Sequence, residues 1–525
     1  MCGIAAIIHA LDETGSGRRA ENGALLDSML AKIRYRGDSD HFGETLLSDR
    51  FACGTNRLAI LDRSNGFQPL RDSASRFWVV YNGEIYNHKQ LRRELLAVGY
   101  TFRTATDTEV VLHAYREWGP RFIHKLDGVF ALVVYDCKTG NFVAARDRIG
   151  VKPLYYSVAA GTHYFASEQK CLLSMNECIE TIPPAHMMVN GNLVRYYELD
   201  DSPPQMEVGE ITREIRRLFY EAVEKRVDTD LPLAVTLSGG LDSTAVLHCV
   251  RKYHPDVTAF TVGLKQSTDV EVASRYCLEH GIPHQIYFLT EEEIIDILPQ
   301  VVYFSELFEG LDIVETCISH ILFRQVQMAG IKVVLCGEGS DEILAGYSVF
   351  KDCEDKTELM KYKLWNIHRT DAQRVDRSSM ANSVEARVPF LDQAFLELAY
   401  RIPMELKLRN GAEKWIFRQA FLGDLPDYVI HRPKMAMHEG SGMKSLLFRH
   451  AAQGALLPEG VARQLNLTSP QEEFFLGQYL AAGFPIPRER FRRPGFDVVC
   501  DWAPNAGAAV AEGWWTNAVC EAENL

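Results

Sequence analysis

Apolar and polar positions follow two unlike patterns along this chain. Over about the first two hundred residues, short apolar or alternating runs such as Phe77 to Tyr81 and Val129 to Tyr135 recur between polar strings; this predicts the strands of stacked sheets, with the polar strings at their ends. Asp200-Asp201-Ser202-Pro203-Pro204 is linker-like and sets a boundary near residue 205, giving units over 1–204 and 205–525. Beyond it a helical pattern runs from Glu210 to Val227. Strand-length apolar runs at Leu231 to Leu237, Val257 to Gly263 and Ile331 to Leu335 are then interleaved with helical patterns at Thr244 to Val250 and Val270 to His280. Strands alternating with helices predict right-handed crossovers and a parallel sheet, with ligands at the carboxyl ends of its strands. Gln471 to Ala482 predicts a last amphipathic helix. The run Arg488-Glu489-Arg490-Phe491-Arg492-Arg493 reads as a solvated basic face, and Ala506 to Leu525, rich in alanine and glycine, as a poorly ordered end.

The turn after the first strand of the second half is Ser238-Gly239-Gly240-Leu241-Asp242-Ser243. Two glycines let a backbone approach an anion, and the first amides of the following helix have no internal partners, so this junction is built for phosphate. It is not a Walker A loop, which needs Gly-x-x-x-x-Gly-Lys-Ser/Thr. The string resembles the pyrophosphate loop of enzymes that split ATP into AMP and pyrophosphate. A later strand delivers a second glycine-rich acidic turn, Cys336-Gly337-Glu338-Gly339-Ser340-Asp341-Glu342, at the same sheet edge. Two such loops, each bringing one carboxylate, suit a magnesium ion across ATP phosphates: Asp242 from one and Asp341 from the other. Glu338 is then left to manage protons on an attacking amine.

The chain opens Met1-Cys2-Gly3-Ile4. Loss of the initiator methionine would leave Cys2 with a thiol and a free α-amine, and an N-terminal amine can serve as base for its own side chain. Arg57-Leu58-Ala59-Ile60-Leu61-Asp62, Gln68-Pro69-Leu70, Tyr81-Asn82-Gly83-Glu84-Ile85-Tyr86-Asn87 and Thr106-Asp107-Thr108-Glu109 follow in order. Singly, Arg57 also fits a surface salt bridge and Asn82-Gly83 a hairpin turn; as an ordered set the strings resemble the class II glutamine amidotransferases. That resemblance implies that Cys2 attacks the glutamine amide and that Asn82 and the Gly83 backbone hold the oxyanion. It further implies that Arg57, Glu84 and Asp107 hold the glutamine's α-carboxylate and α-amine. The charges of the string Ala144 to Tyr156 read as internal salt bridges and domain contacts without a catalytic role.

At 525 residues with 47% hydrophobic and 24% charged positions, the chain reads as a globular protein too long for one core. A net charge of -14 excludes a general nucleic-acid surface. No uninterrupted apolar span reaches bilayer length and no signal-peptide pattern opens the chain, so a cytoplasmic location is expected. The 12 cysteines include no Cys-x-x-Cys pair, which predicts reduced thiols rather than a disulfide scaffold or a zinc site.

Arg377-Ser378-Ser379-Met380-Ala381, Glu385 to Asp392, Lys414 to Phe421 and Arg432-Pro433-Lys434 extend the resemblance over the whole chain, which looks like a glutamine-hydrolysing asparagine synthetase. The family implies a four-layer αββα N-terminal-nucleophile sandwich, then a parallel-sheet α/β ATP-pyrophosphatase-type unit with a helical C-terminal part. It implies ATP and Mg2+, glutamine and a small carboxylic acid, and a homodimer. By it, Ser238, Gly239, Gly240, Asp242 and Ser243 bind pyrophosphate, Val262 and Gly337 line the nucleotide pocket, and Lys434 neutralises phosphate during adenylation; Arg387 fits a buried salt bridge as well as a ligand. A carboxylate attacks the α-phosphate of MgATP, and ammonia freed at Cys2 travels between domains protected from water. Two stretches depart from the family. Where it carries a string close to Glu-Thr-x-Asp-x-Thr-Thr-Ile-Arg, this chain has Glu306-Leu307-Phe308-Glu309-Gly310-Leu311-Asp312-Ile313-Val314, so Leu311-Asp312 replaces a threonine pair and Val314 an arginine. After Lys434, Met437 to Gly442 replaces a string close to Phe-x-Asp-Gly-Val-Gly. Either the alignment slips there, or the acceptor is a carboxylic acid other than aspartate.

Overall fold

The computed structural model describes residues 1–10, 18–38, 43–175, 178–265, 267–434 and 443–487. The strings expected at 437–442 and 488–493, and the end from residue 506, lie outside the described residues. The chain forms two compact units, Met1–Glu198 and a second beginning at Leu199.

Unit 1 holds twelve strands: β1 (Cys2–Ile8), β2 (Glu44–Leu47), β3 (Phe51–Arg57), β4 (Leu70–Arg71), β5 (Phe77–Ile85), β6 (Gly128–Asp136), β7 (Phe142–Arg146), β8 (Tyr155–Ala159), β9 (Thr162–Ala166), β10 (Glu180–Thr181), β11 (His186–Val189) and β12 (Asn192–Arg195). They form two six-stranded sheets, β10-β8-β9-β1-β3-β2 and β12-β11-β7-β6-β5-β4. All pairings are antiparallel. The period-2 alternation of β1 sorts its side chains into two cores. Cys2, Ile4, Ala6 and Ile8 meet Val80, Ala131 and Val133 of the other sheet, while Ala5 and Ile7 meet Leu26, Met29 and Leu30 of α1 (Arg18–Ala31). On the far face of the second sheet, Val79, Tyr81, Leu132 and Val134 pack with Leu91 and Leu95 of α2 (His88–Ala97) and with Val110 and Val111 of α3 (Asp107–Trp118). The layers are therefore helix, sheet, sheet, helices, as the resemblance implied.

One detail differs from the sequence pattern. Asn82-Gly83-Glu84 does not lie beyond the end of a strand or in a hairpin turn but inside β5. Gly83 makes this possible: a Cβ there would stand 2.2 Å from the Val129 carbonyl oxygen, so only glycine lets β5 lie this close to β6.

Unit 2 is built on β13 (Leu233–Thr236), β14 (Thr258–Gly263), β15 (His284–Phe288), β16 (Val333–Leu335) and β17 (Glu385–Arg387). They form one sheet of order β15-β14-β13-β16-β17 with every neighbour parallel. The first strand starts at Leu233 rather than Leu231 because Pro232 has no amide to give a ladder. Its helices include α4 (Val208–Arg226), α5 (Leu241–Tyr253), α6 (Thr268–His280), α7 (Glu291–Ser305) and α8 (Gly310–Met328), followed by shorter helices to Pro470–Ala481. From β13 the chain winds outward through β14 to β15, then returns to β16 on the other side. The order reverses between β13 and β16, and crevices at the carboxyl ends of strands form at such a switch point.

Candidate active sites

In unit 1, Cys2 opens β1 opposite Arg57 of β3, in the layer between the sheets. Its backbone nitrogen donates to Asn82 Oδ1 at 2.8 Å. A residue of the second sheet thus holds the backbone nitrogen of Cys2. With Oδ1 so used, Asn82 Nδ2 is fully buried and has no hydrogen-bond partner, a state that costs roughly 1–3 kcal/mol unless a ligand fills it.

Strand register locates a second unused donor. Phe130 accepts the Asp147 amide at its carbonyl and donates its own amide to Asp147 Oδ2, on the β7 side of β6. Gly83, paired with Phe130, therefore points its amide away from β6, towards the open edge of β5 where β4 covers only Trp78 and Val79. The flanking amides on that edge are taken: Tyr81 N donates to Gln68 Oε1 at 3.1 Å and Ile85 N to Asp107 Oδ2 at 3.1 Å. Asn82 Nδ2 and Gly83 N are what remains to meet a negative oxygen beside Cys2.

The other expected residues surround this point. Arg57 is buried and is not a surface salt-bridge residue; its guanidinium donates to the carbonyls of Leu61 at 2.9 Å, Asp62 at 3.1 Å and Arg63 at 3.4 Å. Asp107 Oδ2 also accepts Tyr81 Oη–H at 2.7 Å, and Glu84 lies buried next to Gly83. Two buried residues, Arg36 and Glu168, escaped the sequence reading, and the role of a third was not read. Gln68, matched without a role, places Nε2 3.7 Å from Cys2 Sγ. Arg36 donates through Nε to the Cys2 carbonyl at 3.2 Å and through Nη1 to Glu168 at 2.8 Å, both side chains being fully buried; no periodicity marks a buried arginine. The charges of 144–156 serve backbone as well: Asp147 accepts amides of Phe130, Ile149, Gly150, Val151 and Lys152, and Arg146 donates to the carbonyls of Gly150 and Lys152.

In unit 2, the loop after β13 and the loop after β16 touch at the switch point. A Cβ on Gly337 would lie 3.1 Å from Ser243 N and 3.3 Å from Asp242 Cβ. Gly239 has φ +71, and its Cβ would meet Ala273 N at 2.7 Å, so it is glycine for two reasons. Ser243 Oγ accepts Ser238 N at 3.1 Å and lies 3.1 Å from Ser238 Oγ, closing the loop on the start of α5 below Gly240. Arg432 ties the same loop to α6, donating to Ser238 O at 3.3 Å and pairing with Asp269 at 2.7 Å. Val262, half-buried, is the last residue but one of β14.

Asp242 and Asp341 converge on one cation that the sequence reading missed. Lys414 Nζ lies 2.5 Å from Asp242 Oδ2 and 2.6 Å from Asp341 Oδ1, and donates to Ser340 Oγ at 2.8 Å. Lys434 Nζ pairs with Asp341 Oδ2 at 2.8 Å. Burial alone would raise the Asp341 carboxyl, yet these two ammonium groups hold it well below the usual carboxylate range. Asp242 Oδ1 is buried and without a partner. Two hard carboxylates around a point already chosen by an ammonium, one with an oxygen to spare, fit a Mg2+ ion that takes its other ligands from phosphates and water. Glu338, one loop turn away, has its Oε2 buried and unpartnered, and burial pushes its carboxyl up. Arg387 is a buried ion-pair residue, 2.6 Å from Glu385 Oε1 and donating to Arg226 O at 2.7 Å.

Comparison with known proteins agrees with both halves. A glutamine amidotransferase domain family matches residues 1–210, and an asparagine synthase family matches 214–365 and 354–494. The asparagine synthetase (glutamine-hydrolysing) of Sandersonia aurantiaca is 33% identical, over 92% of this chain and 97% of its own length. The chain belongs to the glutamine-hydrolysing asparagine synthetase family. A probable member from Dictyostelium discoideum is 36% identical over 84% of this chain and 85% of its own, and one from Arabidopsis thaliana 33% over 94% and 89%.

Against that family, the stretch that departs in sequence spans the end of α7 and the start of α8. Glu306 caps α7 with φ 61 and pairs with Arg377 at 2.8 Å, both side chains fully buried. Leu311 is half-buried, and Asp312 and Val314 are buried within α8. Glu315 pairs with Arg374 at 2.7 Å, and Arg374 reaches Asp371 at 2.7 Å. Val314, expected where the family string has an arginine, is an apolar side chain inside the core, and Arg374 is engaged by two carboxylates.

Proposed function

We propose that this chain is an ATP-dependent, glutamine-hydrolysing amide synthetase whose acceptor is by default L-aspartate, giving L-asparagine, AMP, pyrophosphate and glutamate. Cys2, freed of Met1, attacks the glutamine amide with its own α-amine as base, and Asn82 Nδ2 and Gly83 N take the charge on the tetrahedral oxygen. Arg57, Glu84 and Asp107 hold the α-carboxylate and α-amine of the glutamine. Ser238 to Ser243 cradle the pyrophosphate, Val262 and Gly337 line the nucleotide pocket, and Lys434 meets the phosphates. Asp242 and Asp341 would hold the Mg2+ of MgATP, which would supply charge neutralisation for the phosphates. Glu338, with its raised basicity, accepts the proton that ammonia sheds as it displaces AMP. A cytoplasmic location and a homodimer belong to the same proposal.

The observation that supports this reading most is the meeting of Asp242 and Asp341, from separate loops, at the switch point of the sheet. A second reading keeps the reaction but exchanges the acid: buried Val314 and the doubly engaged Arg374 favour an acceptor without aspartate's second carboxylate. The deciding experiment measures AMP and pyrophosphate from MgATP and glutamine with and without L-aspartate, with mass detection of asparagine. Stoichiometric asparagine supports the first reading. Glutamine hydrolysis without aspartate-dependent AMP supports the second, and neither glutamine hydrolysis nor ATP turnover would leave a silent homologue.

A further inference from the structure

We propose that Lys414 is a built-in counter-cation for the metal-binding carboxylates, occupying the point between Asp242 and Asp341 in the nucleotide-free protein and yielding it when MgATP binds. The inference rests on the reading of unit 2 as a MgATP site.

Two carboxylates facing each other in a largely buried crevice repel, and a loop pair bearing them would spread without a cation between them. Lys414 supplies one. Its ammonium donates to Asp242 Oδ2 at 2.5 Å and Ser340 Oγ at 2.8 Å and forms an ion pair with Asp341 Oδ1 at 2.6 Å. The side chain is 2% exposed. Lys434, by contrast, is 29% exposed and, among the described residues, pairs with Asp341.

Three independent features hold Lys414 in this place. Its backbone sits at φ 55, a left-handed conformation that strains a non-glycine residue. Gly346 leaves the space, since a Cβ there would lie 2.2 Å from Lys414 Cε and 2.0 Å from Asp341 Oδ1. The helix it begins, Trp415–Ala420, is fastened from below by Phe417, whose ring centroid is 5.2 Å from that of Phe219 on α4. Strain, a missing side chain and aromatic packing therefore all serve to aim one ammonium at two acids.

The consequence is conditional metal binding. A free divalent cation must displace this ammonium from both carboxylates, so it binds weakly. The polyphosphate of a nucleotide offers Lys414 new oxygen partners, and the carboxylates become available in the same event. Lys414 is then a positioning residue that makes occupancy by metal depend on nucleotide.

The test uses the full chain without nucleotide and Mn2+ as an electron-spin-resonance probe, titrating wild type, Lys414→Met and Lys414→Arg. Lys414→Met should bind Mn2+ at least about tenfold more tightly than wild type, a change of about 1.4 kcal/mol, and Lys414→Arg should remain as weak as wild type. Unchanged or weaker Mn2+ binding by Lys414→Met would overturn the proposal; a lysine with a merely structural role predicts that outcome. Lys414→Gln is read in the same way if the methionine variant does not fold, folding being checked by glutamine hydrolysis in unit 1 and by circular dichroism. Failure of wild type to form AMP from MgATP with any acceptor would strike the ATP reading instead, and is measured separately.

Discussion

Replacing Lys407 with methionine should change how stability depends on pH, by an amount the structure fixes. Lys407 ends the short helix Met404–Lys407 and is fully buried. Its Nζ donates to the Tyr400 carbonyl at 3.1 Å and to the Met360 sulfur at 2.9 Å, with no carboxylate among the described residues to balance its charge. Burial pushes its ammonium down to about 7, whereas a solvated lysine titrates near ~10.4. The folded pKa is the depressed one, so between these values the folded side chain is neutral and the unfolded one charged. Unfolding then takes up a proton, stability rises with pH across this window, and it is lowest below pH 7. At pH 7 the burden is about 4 kcal/mol, falling by about 1.4 kcal/mol for each pH unit towards 10.

Lys407→Met keeps the length and removes the titration. Near pH 7 it should stabilise unit 2 by about 1–3 kcal/mol after the unsatisfied Tyr400 carbonyl is subtracted. Its advantage over wild type should shrink by about 1.4 kcal/mol per pH unit from pH 7.5 to 9.5. Pulse proteolysis in urea at several pH values reads both numbers without requiring the two units to unfold together. A difference between variant and wild type that stays constant over that range would refute the reasoning, because Lys407 would then carry the same charge folded and unfolded.

Other changes separate the two sites. Cys2→Ala should abolish glutamine-dependent amide formation while synthesis from ammonium salts persists, and equal loss of both would argue against separate sites. Asp341→Asn should remove MgATP-dependent AMP formation and spare glutamine hydrolysis, read by a glutamate assay on the same sample. Asn82→Ala should lower the kcat of glutamine hydrolysis about 10²–10³-fold with little change in KM, the mark of a donor used only in the transition state. Gly239→Ala should abolish nucleotide binding by calorimetry while unit 1 still hydrolyses glutamine, since its Cβ would press on Ala273 N at 2.7 Å.

Much of this was legible in the residues because local chemistry and position coincide. The loops at Ser238 and Cys336 announce phosphate by glycine, serine and acid at a strand-to-helix turn, and the structure puts both at the switch point. β17 was not legible: Glu385-Ala386-Arg387 has no apolar run, and its charges are buried by pairing with each other and with the Arg226 carbonyl. β15 is an edge strand with Ile286 and Phe288 partly exposed, so its pattern lacks the continuous apolar character of the central strands. Lys414 lies 172 residues from Asp242 in the chain. Nothing in its neighbourhood marks a left-handed lysine. Its role depends on Gly346 and Asp341, which only the fold brings to it.

The same geometry explains why the reaction is easier to read than the acid it acts on. Asp242, Glu338 and Asp341 follow directly from the ends of β13 and β16, whose positions are set by parallel ladder bonds from Leu233 to Leu335. Those residues cannot drift without breaking the sheet. The stretch from Glu306 to Ile318 belongs to the ends of α7 and α8, held to the helix Asp371–Met380 by the ion pairs Glu306–Arg377 and Glu315–Arg374. Helices fastened through side chains can vary at Val314 as long as the pairs beside it survive, because no strand end moves. In this fold the loops bearing Asp242, Glu338 and Asp341 and the stretch from Glu306 to Ile318 are therefore supported by different elements. Reversing only the second set, by Val314→Arg, should shift acceptor preference towards dicarboxylates while leaving the Cys2 reaction untouched, and competition between aspartate and monocarboxylic acids for AMP formation measures that shift.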